Sequence, residues 1–141
     1  MMKTLLALLL LIPSLSWGGK LLPLSDYLIQ HNPTDPAVLE YVEYRCVSGW
    51  FGVAKIIENQ DPVTSQLYQN NATELMMRLV DKYMTNNFVN KSEALENVTI
   101  SVINISNIYI DEMNSNWQKT GNYFMNTYVE DDMLLCKEVF S

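Results

Sequence analysis

The sequence predicts an all-α fold: an antiparallel up-down four-helix bundle with one disulfide joining its first and last helices. Three observations predict it. Apolar residues recur at steps of three and four through four separate segments, the period of a helix that buries one face. Helix-start punctuation precedes three of them: Asp35-Pro36, Asp61-Pro62, and Asn90 with Glu93 three residues on. The only two cysteines, Cys46 and Cys136, fall on the apolar faces of the first and last segments. The 141 residues are 48% hydrophobic and 11% aromatic. That is enough for one buried core and too much for a disordered chain.

Residues 1–18 read as a signal peptide. Lys3 supplies the positive n-region, Leu5 to Ile12 the apolar run, Pro13 the break, and Ser16-Trp17-Gly18 small residues for cleavage after Gly18, with Ser16 the second choice. The apolar run is too short for a transmembrane helix. Later stretches are no better candidates: Cys46 to Ile57 is short and interrupted by Ser48, Gly49, Gly52 and Lys55. The expected localisation is therefore exported, periplasmic or secreted, with no transmembrane span after signal removal.

Residues 19–35 read as an N-terminal arm with one short turn at Ser25–Gln30, and residues 36–141 as the bundle domain. In the first helix Asp35 caps and Pro36 opens. Leu39, Val42, Cys46, Gly49, Val53 and Ile56 form the face, running to about Asn59. The second starts at Asp61-Pro62, carries Tyr68, Ala72, Leu75, Leu79 and Tyr83 with Met76 and Val80, and fades in Asn86-Asn87. The third begins at Asn90 and repeats Leu95, Val98, Val102, Ile105, Tyr109, Met113 and Trp117 up to Gly121, a natural C-terminal stop. Here the β-branched run Val98–Ile110 competes, because Val98-Ile100-Val102 alternates as a strand does. The longer 3.5 period favours helix. The last segment, from about Asn122 to Phe140, faces inward with Met125, Val129, Met133, Cys136 and Phe140.

Export makes a Cys46–Cys136 disulfide the expectation, against buried free thiols or pairing between chains. It would close a loop of about 91 residues, worth about 4–5 kcal/mol on chain-entropy grounds. In an up-down bundle the first and last helices are neighbours, so helical pattern and cysteine placement agree.

Composition narrows the chemistry. Nine Lys+Arg against 16 Asp+Glu give a net charge of -7, which argues against nucleic acid as a partner. The one histidine, His31, lies in the arm, away from any serine or cysteine nucleophile. No CxxCH or paired Glu-x-x-His occurs, so no haem or di-iron cofactor is expected. Glu130-Asp131-Asp132 reads as a solvated helix face rather than a metal site. Glu40/Glu43 and Glu93/Glu96 are i,i+3 pairs near helix starts. Asn71, Asn97 and Asn104 stand in glycosylation sequons.

Gly49-Trp50-Phe51-Gly52 is the unusual segment. Two glycines inside a helix cost about 1 kcal/mol each relative to alanine, so a close helix contact should offset them. The alternative is a contact surface, with Trp50 and Phe51 as an aromatic patch and Arg45 as its polar anchor.

Leu11-Ile12-Pro13-Ser14-Leu15-Ser16-Trp17-Gly18 is similar to export signals of marine, AT-rich bacteria. Tyr41-Val42-Glu43-Tyr44-Arg45-Cys46, with the later Asp132 and Cys136, resembles small uncharacterised exported α-helical proteins of such organisms. The resemblance implies export and a helical fold; it carries no activity and no site residues. The expected function is that of a non-enzymatic exported binding or accessory protein, whose partner is an unknown protein or a small apolar ligand. A secreted cytokine-like four-helix ligand and a small carboxylate-dependent hydrolase are the alternatives.

Overall fold

The computed structural model of the protein describes residues 21–140; the expected signal peptide, residues 1–18, lies outside the described residues. Every regular element among them is helical: α1 (Leu24–Gln30), α2 (Pro36–Ile57), α3 (Pro62–Asn87), α4 (Lys91–Thr120) and α5 (Tyr128–Phe140). Among the described residues the helix count is five rather than the expected four.

The helix starts follow from the punctuation. The Asp35 carboxylate accepts from the Ala37 amide (2.9 Å), Asp61 from Thr64 (3.1 Å) and Asn90 from Glu93 (2.9 Å), so each satisfies a first-turn donor that the helix itself leaves unpaired. Gly121 takes the left-handed conformation (φ 73°) and returns its amide to Trp117 O, closing α4. At the end of α3 Phe88 does the same with φ 55°, a conformation that disfavours a side chain with a Cβ. Val98–Ile110 lies wholly within α4. There the period of burial (Val98, Val102, Ile105, Tyr109, Met113) prevails over local β propensity.

The helices are not four equivalent rods. The long helices α2, α3 and α4 pack on one another, and α5 lies on α2 and α1 with only a narrow contact to α4. In α2 every residue from Arg45 to Trp50 is buried, and so are Gly52, Val53 and Ala54. It is the central element, enclosed on most of its circumference over that stretch. The faces drift slightly from expectation: Val38 is buried where Leu39 was expected, and Leu95 and Trp117 at the two ends of the α4 stripe are exposed.

Two further differences concern the chain ends. The arm is not a free extension. Leu21 and Leu24 are core residues, and the short turn expected at Ser25–Gln30 is the helix α1. At the other end α5 starts at Tyr128, six residues later than expected. The Asn122 side chain accepts from the Phe124 and Met125 amides (both 2.8 Å), Asn126 adopts φ 62°, and Asn116 donates to Asn122 O (2.7 Å) and Met125 O (3.0 Å). These bonds pin residues 122–127 as a loop folded back along α4. Asparagine competing for backbone groups explains why the helix does not begin sooner.

Candidate functional site

The disulfide joins Cys46 in α2 to Cys136 in α5, with Cα atoms 5.6 Å apart. Beside it is a buried polar latch. Arg45 precedes Cys46 in α2, and Asp132 stands one helical turn before Cys136 in α5. Their side chains are 0% and 1% exposed and form an ion pair at 2.6 Å. Asp132 Oδ2 also accepts from the Tyr109 hydroxyl of α4 (2.6 Å), and Oδ1 accepts from the Leu24 amide at the start of α1 (2.8 Å). Arg45 donates through Nε to Tyr109 (2.8 Å), and through Nη1 to Leu22 O (2.8 Å) and to the Tyr41 hydroxyl (3.1 Å). One network therefore ties together α1, α2, α4, α5 and the segment leading into α1.

Burial works to lower the Arg45 pKa, but Tyr109, Tyr41 and Asp132 more than offset it, so the guanidinium is held charged. Burial pushes the Asp132 carboxyl above its ordinary value, opposed by Arg45, Tyr109 and the Leu24 amide. Burial also lifts the Tyr109 phenol well above 10, so it stays a donor. A carboxylate with its lone pairs this fully engaged, closed off from solvent, has the character of a structural tie and not of an acid–base group. The other buried acid, Glu43, pairs with Lys82 of α3.

The glycines are explained by the same neighbourhood. A Cβ on Gly49 would overlap the terminal methyl of Met133 in α5. One on Gly52 would sit 3.4 Å from Ser106 O and from Tyr109 Cβ in α4. Gly52 marks close approach of α4 to α2, and Gly49 leaves room for the Met133 side chain of α5; these contacts offset the cost of two mid-helix glycines.

On another side of α2 the structure opens into a groove of about 850 Å³, within the range of ligand-binding clefts. Trp50, Val53 and Ile57 of α2 form its floor. One wall is α3, through a stripe running from Thr64 past Leu67, Tyr68, Asn71 and Leu75 to Arg78. The other is α5, through Glu130, Met133, Leu134, Lys137 and Phe140, with Phe124 of the preceding loop beside them. The α3 stripe from Thr64 to Arg78 is 14 helical steps, about 21 Å. Trp50 meets Phe140 edge-on, with ring centroids 6.4 Å apart. Leu67 and Leu134, on opposite walls, are 59% and 57% exposed. The lining is mainly aliphatic and aromatic, with acids and bases at its margin, and Arg78 is 3.6 Å from Glu74.

The residues singled out by sequence separate in space. Trp50 belongs to the groove, as buried floor and not as an exposed patch; Phe51 is half-buried and does not line it. Neighbouring residues in a helix point about 100° apart, so the two rings face different surroundings. Arg45, expected as a surface anchor, is wholly buried in the latch. Asp132 is a correction of the same kind: only Glu130 and Asp131 of the acidic run face solvent. Sequence reasoning missed Asp132, Tyr109 and both groove walls. A signal for the first did exist. Asp132 is three residues after Val129 and four before Cys136, on the apolar stripe, and Arg45 adjoins the other bridged cysteine.

The described residues include no helix long and apolar enough to cross a membrane. Comparison of the chain with protein-family models, with curated proteins and with solved structures gives no match.

Proposed function

We propose that this is an exported, non-enzymatic binding or accessory protein whose working surface is the groove between α3 and α5. The observation that carries the reading is the uncovered apolar slot itself. A chain that buries Arg45 and Asp132 with nearly every polar atom satisfied leaves Leu67 and Leu134 exposed on facing walls. Apolar surface left open in a concave, aromatic-floored site is the usual arrangement for ligand capture. The disulfide and the signal-like residues 1–18 support export.

The test uses Nile red, a neutral apolar fluorophore. It should bind the oxidised protein with a blue-shifted emission. The double variant Leu67→Gln, Leu134→Gln should bind at least tenfold more weakly while keeping the melting temperature of the parent. Equal binding by parent and variant, or none by the parent, would sink the reading. For export, expression of the full chain with N-terminal sequencing of the product should show cleavage after Gly18 or Ser16; an uncleaved cytoplasmic product would remove that part.

A further inference from the structure

Resting on that reading, we infer that the occupant of the groove is one face of an amphipathic helix from a partner protein, carrying lysine or arginine along its edges. Shape points to a helix. The α3 wall runs about 21 Å and the α5 wall, from Glu130 to Phe140, about 15 Å, lengths that suit an elongated segment of several helical turns. The slot is open to water, with Leu67 and Leu134 exposed on its two walls, so an occupant buries one face and keeps the other wet, the demand an amphipathic helix meets. The walls are built for the same purpose: α3 and α5 both pack on α2 and both line the slot. A helix laid between them would rest on Trp50, Val53 and Met133 and be flanked by Leu67 and Leu134.

Charge points to a basic partner. Asp61, Glu74 and Glu130 line the groove against Arg78 and Lys137; Glu74 and Arg78 pair with each other, which leaves Asp61 and Glu130 against Lys137. Glu130, exposed in the first turn of α5, has no ion-pair partner among the described residues, and Asp131 is exposed beside it. The chain as a whole carries -7. Its field would draw a cationic segment in and repel a second copy of the chain.

The experiment uses the oxidised protein and two synthetic peptides of about 14 residues, the length that spans about 21 Å as a helix. Both have the same leucine and phenylalanine face; one has lysine and the other glutamate on its polar face. Binding is followed by calorimetry and peptide helicity by circular dichroism. The lysine peptide should bind at least tenfold more tightly than the glutamate peptide, gain helicity on binding, displace Nile red and weaken as salt rises. Glu130→Gln should weaken binding of the lysine peptide severalfold and narrow its advantage over the glutamate peptide. Equal binding of the two peptides overturns the inference. So does failure of both, or competition with Nile red by a long-chain fatty acid but by neither peptide. In those cases groove-dependent Nile red binding would still stand for the proposed function, whereas loss of Nile red binding as well would remove both.

Discussion

The central helix α2 meets α5 across two very different surfaces. On one, Arg45, Cys46 and Gly49 contact Asp132, Cys136 and Met133 through a disulfide, a buried ion pair and a glycine-deep approach. On the other, Trp50, Val53 and Ile57 floor an open slot of which the same helix is one wall. The latch and the groove share two helices and even a side chain, since Met133 fills the space over Gly49 and also lines the groove. The difference shows how a short helix with few neighbours can serve as one wall of a cleft. α5 has 13 residues and touches α4 only narrowly, so apolar burial alone would hold it weakly. Covalent and ionic ties on one side leave its other side free of packing duty.

Breaking the disulfide should have the largest effect. Cys46→Ser with Cys136→Ser is expected to cost about 4–5 kcal/mol on chain-entropy grounds for a loop of this size, a large share of the ~5–15 kcal/mol typical of a domain. Urea unfolding with and without reductant would measure it. A loss under 1 kcal/mol would show that the other ties hold α5 by themselves. Nile red binding should fall along with stability, because the α5 wall goes with the staple.

Breaking the ion pair comes next. Asp132→Ala leaves a buried guanidinium with one acceptor fewer and should cost about 3–5 kcal/mol, whereas replacing both charges, as in Arg45→Met with Asp132→Leu, should recover most of that loss. The double-mutant cycle separates the energy of the pair from the penalty of an orphaned charge. If the apolar double variant is as stable as the parent but binds Nile red poorly, the latch fixes the position of α5 more than it stabilises the fold. If the double variant is as unstable as the single ones, the Tyr109, Leu22 and Leu24 bonds depend on the charges.

The contrast also marks what the sequence makes legible. Helix starts at Asp35-Pro36, Asp61-Pro62 and Asn90, the stop at Gly121 and the pairing of the cysteines are local or nearly local signals, and each corresponds to an observed feature. The docking of α1 was not legible: it depends on Leu24 donating to a carboxylate 108 residues away. The late start of α5 was hidden because the Asn122 loop bonds, through Asn116, to α4. Asp132 was misread because its two acidic neighbours in sequence do face solvent, and only its phase relative to Val129 and Cys136 sets it apart. The groove had no sequence signature beyond Trp50. A slot is a contact that two helices do not make, and periodicity within one helix says nothing of that.

The smallest expected effect falls where latch and groove meet. Gly49→Ala should gain up to about 1 kcal/mol of helix propensity, and the new Cβ would overlap only the end of the flexible Met133 side chain, with Tyr109 at an ordinary 3.5 Å. Methionine can repack at small cost, so net stability should change by no more than about 1 kcal/mol. Met133 has space to move into on the groove side, which it already lines. The substitution should therefore leave the melting temperature nearly unchanged while pushing the thioether into the slot and weakening Nile red severalfold. Loss of stability with unaltered probe binding would mean that Met133 moves towards the latch instead, and that the two surfaces of α5 are less independent than their geometry indicates.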